Sequence, residues 1–110
     1  MQAEDLLQTY TRQIGDTVLL QLIGELDIAT APLAEGAADR ALTSRPRYVR
    51  LDLTRLTFCD AVGLHTLQRI TNTIRAAHAF LLLDGIHPNL ERTLILLEAR
   101  SPWEQPPAPN

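Results

Sequence analysis

The stretch Leu51-Asp-Leu-Thr-Arg-Leu-Thr-Phe-Cys-Asp-Ala-Val-Gly-Leu64 decides how this chain folds. It opens inside an alternation that puts Val49, Leu51 and Leu53 on one face and Tyr48, Arg50 and Asp52 on the other, the period-two signature of a strand. A strand buried on both faces would not carry Arg50, so one side of its sheet is expected to be uncovered. The strand runs into a loop and then a helix start. Asp60 stands just before the helical pattern, where its carboxylate accepts hydrogen bonds from the free N–H groups of a first turn. Position 61 is then the first helical residue, beside unpaired amides and the positive end of the helix dipole, where a hydroxyl would be well placed to gain a phosphate. It is alanine, and the hydroxyl is missing.

Working outward, a helix from Asp60 to about Ala77 directs Leu64, Leu67, Ile70, Thr71, Ile74 and Ala77 inward. His65, Gln68, Arg69, Asn72 and Arg75 face out. Upstream, Leu6 to Gln13 and Thr17 to Ile23 read as a hairpin around Ile14-Gly15-Asp16. Thr30 is a candidate cap with Pro32 in the first turn, opening a helix to about Thr43. Its narrow stripe of Leu33, Ala37, Ala38, Ala41 and Leu42 suits close approach to a sheet, and Ser44-Arg-Pro-Arg47 ends it. Downstream, the apolar run Ala79 to Leu83 suits a buried strand closed by a turn at Asp84-Gly85. A third helix follows from near Pro88, with Leu90, Leu94, Ile95 and Leu97 as its stripe, until Ser101-Pro102 stops it. Residues 101–110 are proline-rich and are expected to form a loose tail. The order describes one α/β domain over residues 1–100, a mixed sheet of about four strands packed with three or more helices.

Composition narrows the function. A chain of 110 residues, 45% hydrophobic, makes a single core, and a net charge of −3 opposes direct binding to nucleic acid phosphates. All ten basic residues are arginine and they are scattered. The acidic amino terminus differs from a signal peptide, and no apolar run approaches the roughly twenty residues of a membrane span, so a cytoplasmic location is expected. Phosphate-loop, nucleophile-elbow and Cys-x-x-Cys motifs are absent. His65, His78 and His87 lack the one-turn spacing of a zinc pair and read as surface or turn residues. Cys59, between Phe58 and the opposing carboxylate of Asp60, reads as buried packing. Asp27, Asp52 and Asp60 resemble an acid cluster, but caps and turns account for two of them. Neither a cofactor nor a metal is implied, and no catalytic group stands out.

Gly24-Glu-Leu-Asp27 followed by Thr30-Ala-Pro32, then Leu51 to Asp60 and Gly63-Leu64, resembles the STAS domain of bacterial anti-sigma factor antagonists over about residues 10–97. A looser match lies at Asp84-Gly-Ile-His-Pro88. The resemblance implies a non-enzymatic protein-binding module that captures an anti-sigma factor, often a serine kinase of the histidine-kinase-like ATPase type, and so releases a sigma factor. It also implies that the family's phosphoserine, directly after the motif aspartate, falls on Ala61, which cannot be phosphorylated. The partner surface is expected to comprise Asp60, Ala61, Val62, Gly63, His65 and Arg69. Leu26, Asp27 and Ile28 would extend it, because the resemblance implies that both loops lie at one end of the sheet.

A protein built this way would act as a permanently unphosphorylated antagonist. The rival within the fold is that Thr57 or Thr66 has taken over as phosphosite. Two other classes use the same fold. One is an accessory subunit of a lipid-transport ATPase, and the other a small anion- or nucleotide-binding module using the amides of residues 61–63. Where family members often continue with a further strand and closing helix, this chain turns to proline. The resulting exposed sheet edge would invite pairing with a second copy, as a homodimer, or with a partner.

Overall fold

The computed structural model describes residues 2–96. Its elements are α1 (Ala3–Leu6), β1 (Leu7–Ile14), β2 (Thr17–Leu26), α2 (Ala31–Ala41), β3 (Tyr48–Leu53), β4 (Leu56–Cys59), α3 (Ala61–Ala76), β5 (Phe80–Ile86) and α4 (Pro88–Leu96). The hairpin forms as expected, β1 running antiparallel to β2 around Gly15, whose φ of +63° only glycine adopts freely. β3 has the expected bounds. It lies parallel to β2 on one side and to β5 on the other, giving a mixed sheet in the order β1-β2-β3-β5.

β4 is a strand where the sequence pattern predicts a loop. It pairs in parallel with the far end of β2, Leu26 opposite Cys59, above the segment where β3 pairs. β2 is therefore long enough to hold two successive strands along the same side.

One face of the sheet carries the core. Leu20, Leu22, Val49, Leu51, Leu53 and Leu56 are fully buried against the alanines of α2 and against Leu67, Ile70 and Ile74 of α3. The small side chains Ala34, Ala37 and Ala38 let α2 lie close to the strands, whereas Leu33 and Leu42, expected in that stripe, are only partly buried. On α3 the inward stripe is confirmed for Leu64, Leu67, Ile70, Thr71 and Ile74 and gains Thr66, but Ala77 is exposed. The helix has ended at Ala76, and His78 turns the chain away at φ +62°.

The buried strand expected from Ala79 to Leu83 is instead an edge. Phe80, Leu82 and Leu83 are exposed, because β5 has β3 on one side and no further strand beyond it among the described residues. Nor does it stop at Asp84-Gly85, since β5 continues through a register shift to Ile86. Arg50, on the uncovered face, pairs with Asp84 at 2.6 Å. The expected tail at 101–110 and the stop at Ser101-Pro102 lie outside the described residues.

Candidate functional site

β2 and β4 run in parallel, so the segments that follow them leave the same end of the sheet. After β4, Asp60 takes an extended conformation and its Oδ1 accepts the Gly63 N–H at 2.8 Å, while its backbone carbonyl accepts the Leu64 N–H at 2.9 Å. A cap of this kind contributes about 1 kcal/mol, enough to fix where α3 begins. Ala61 is then the first helical residue and it is exposed; Val62 beside it is 41% exposed.

After β2, Asp27 and Thr30 lock the other loop. The Asp27 carboxylate accepts the N–H groups of Ala29 and Thr30 at 2.9 and 3.1 Å, and the Thr30 hydroxyl accepts the Asp27 N–H and donates to the Glu25 carbonyl, each at 2.9 Å. Thr30 occupies the position before α2 as expected, yet its buried hydroxyl makes no cap bond to the helix. It holds the loop closed instead. The knot pushes Ile28 outward, where it is 76% exposed.

Asp27, Ile28, Asp60, Ala61 and Val62 are thus brought to one end of the sheet. Leu26 corrects the expected set: it is the last residue of β2, fully buried in the core, and offers no side chain to a partner. Gly63 is also buried. A Cβ there would overlap the Leu26 carbonyl oxygen and lie 2.8 Å from the Cys59 sulfur, so its role is to let α3 seat against the two strand ends. His65 lies on the exposed side of α3 one turn on. Arg69 is exposed but tied back to α2, its Nε 2.7 Å from Glu35 and its Nη2 donating to the Thr66 hydroxyl.

The two alternative hydroxyls differ. Thr66 is fully buried and donates to the Val62 carbonyl at 2.9 Å, so a kinase has no access to it in the folded chain. Thr57 is exposed, with its hydroxyl donating to the Gly24 carbonyl at 3.1 Å.

Phe58 is an exposed aromatic residue that the local sequence pattern does not mark. It is 48% exposed on β4, opposite Glu25, and borders a shallow depression of about 310 Å³ with Thr57, Asn89, Arg92 and Thr93. The signal was present in the β-prone run Leu-Thr-Phe-Cys, but four residues are too few for periodicity to register.

The remaining chemistry is muted. Burial, and then the Asp60 carboxylate, push the Cys59 thiol up to about 12. A thiol reagent at neutral pH is therefore expected to label Cys59 only as fast as the domain opens, and denaturant should accelerate labelling by orders of magnitude. Labelling at the rate of a free thiol without denaturant would show that the β4–α3 junction is open. Asp52 accepts bonds from Gln21 and from both donors of Thr54, and His87 accepts the Asn89 N–H, so both serve turns and strand ends. Among the described residues, no group of three or more metal-ligating side chains comes together. No helix there is long and apolar enough to cross a membrane.

The STAS domain model matches residues 8–101. An anti-sigma factor antagonist from Mycobacterium paratuberculosis has a similar structure, with a TM-score of 0.67 and 24% identity over 89% of this chain and 83% of that one. The unphosphorylated form of the anti-sigma factor antagonist SpoIIAA superposes with a TM-score of 0.64 at 17% identity, covering 83% of this chain and 81% of that one. An antisigma-factor antagonist STAS domain from Rhodobacter sphaeroides gives a TM-score of 0.64 at 15% identity, covering 82% and 94%. No curated protein matches the sequence. With β2, β4 and the start of α3 arranged as the Gly24–Asp27 and Leu51–Leu64 motifs require, and with the family match spanning most of its length, this chain belongs to the STAS domain family.

Proposed function

We propose that this domain is an anti-sigma factor antagonist whose docking surface is the opening turn of α3 together with the Asp27–Thr30 loop, and that it is always competent to bind. The observation that carries this reading is the exposure of Ala61 at the first position of α3, with apolar Val62 and Ile28 exposed beside it. Folding asks for Asp60 as a cap and Gly63 as a seat. It gives no reason for two exposed branched aliphatic residues at the same end of the sheet, whereas binding surfaces concentrate such residues near their centres. The structural likeness to anti-sigma factor antagonists supports the same partner class.

In this reading the partner is an anti-sigma factor, a serine kinase of the histidine-kinase-like ATPase type, and the sigma factor it holds is released when this domain binds. With alanine at position 61 the kinase has no acceptor there, so output follows the amount of the protein rather than its phosphorylation. The tagged chain, purified from its own cells, is expected to bring down an anti-sigma factor. It should do so after phosphatase or kinase treatment alike. Recovery of a transporter ATPase in its place would assign the domain to the accessory-subunit role, and a capture unaffected by substitution of Val62 and Ile28 would move the contact elsewhere.

A further inference from the structure

On the sheet face turned away from α2 and α3, the side chains of β1, β2, β3 and β5 fall into rows set by the strand register. The first row, Ile14, Thr17, Tyr48 and Phe80, is uncharged, with Ile14 and Phe80 standing 62% and 60% exposed at its two ends. The second row is Arg12, Leu19, Arg50 and Leu82. The third is Tyr10, Gln21 and Asp52, with Asp84 beside them through its ion pair to Arg50. A shallow groove of about 350 Å³ crosses the first two rows, lined by Ile14, Leu19, Tyr48 and Leu82 among others. Exposed apolar side chains grouped as Ile14, Phe80 and Leu82 are here are what interaction surfaces offer.

We propose that this face packs against the same face of a second copy of the chain, about a two-fold axis that runs along the strands between β2 and β3. A surface can pair with itself only when the two-fold brings unlike features together, a knob to a hollow and a charge to something other than its like. The rows meet that condition. Turning the face about this axis sets β1 over the other copy's β5 and β2 over its β3. Ile14 then meets Phe80, and the exposed Phe80 of each copy reaches the groove margin of the other. In the second row Arg12 faces Leu82 and Leu19 faces Arg50. In the third, Tyr10 faces Asp84 and Gln21 faces Asp52, so each carboxylate is met by a hydrogen-bond donor. No charge opposes its own sign.

Four strands about 4.8 Å apart and three rows about 6.7 Å apart cover roughly 20 Å by 20 Å, a footprint of about 400 Å² per copy, or about 800 Å² for the pair. That lies below the size of stable interfaces and among weak, transient ones, so the expected dimer has a dissociation constant of about 100 µM. The inference is independent of the docking turn of α3.

Sedimentation velocity on the full chain, from about 1 to about 300 µM, is expected to show a shift from monomer to dimer. Phe80→Asp and Ile14→Asp lie on opposite edge strands, and each is expected to weaken the dimer by about tenfold or more with an unchanged melting temperature. Asn72→Asp, on the outer side of α3, should leave it intact. A chain that stays monomeric throughout the range overturns the proposal, whether solvent or the chain's own residues 97–110 occupy the face. So does a dimer that Phe80→Asp breaks and Ile14→Asp spares, which would place the contact at the β5 edge.

Discussion

Gly63→Ala is expected to lower the melting temperature by about 10–15 °C, although it replaces the worse helix former with the better one. Two effects oppose each other at this position. Removing a glycine from a helix gains up to about 1 kcal/mol, and less in the first turn, where the backbone is only partly constrained. Against that stands the overlap of the new methyl with the Leu26 carbonyl oxygen and its 2.8 Å approach to the Cys59 sulfur. Neither neighbour is free to retreat. Leu26 is the last paired residue of β2, Cys59 is its partner in β4, and both side chains are buried.

Overpacking against a fixed neighbour costs about 3 kcal/mol, so the net change is a loss of about 2–3 kcal/mol. Gly36→Ala in α2 isolates the helix contribution, because its Cβ would meet only the flexible end of Arg40, at 3.4 Å. That variant is expected to melt at or above the wild type. Paired thermal melts of the two variants decide the matter, and a Gly63→Ala protein as stable as Gly36→Ala would show that α3 does not seat on the two strand ends.

The same junction separates what the sequence revealed from what it hid. The bounds of β3 and the cap at Asp60 were legible because a local rule governs each: alternation over a full strand, and an acid ahead of a helical stripe. β4 was hidden because its pairing is not local. Four residues become a strand only because the end of β2 projects beyond β3 and offers a free ladder. Leu26 was placed on the partner surface for the same reason: a residue counted as loop proved to be the last buried position of a longer strand. The apolar run in β5 was read as burial because hydropathy records which side chains avoid water and not which neighbour covers them; here Phe80 and Leu82 lie on the open face of an edge strand. Asp27, Ile28, Asp60, Ala61 and Val62 lie at one end of the sheet, an adjacency that only the resemblance implied. Phe58 required the register of β4, which no local pattern contains.

On the function proposed above, Ala61→Glu is expected to weaken binding of the anti-sigma factor by about 10- to 100-fold while leaving the domain as stable as before, or slightly more so. The signs of the two effects differ, and that makes the experiment informative. A carboxylate at the first position of α3 meets the positive end of the helix dipole, which favours the folded state by about 0.3–1 kcal/mol. A loss of binding therefore cannot be put down to unfolding. The side chain at 61 is exposed, flanked by Val62, so the introduced charge must be dehydrated wherever a partner covers this turn.

Ala61→Ser tests the same position from the other side. Serine supplies a hydroxyl where the resemblance places the family's phosphoserine, and a kinase partner of the proposed kind, with ATP, should add phosphate to it. The product gains nearly two negative charges and should bind as weakly as the glutamate variant or more so. Unphosphorylated Ala61→Ser should bind like the natural protein. If both variants bind normally, and kinase treatment leaves the serine form unchanged, the turn lies outside the interface and Ala61 has no part in a switch.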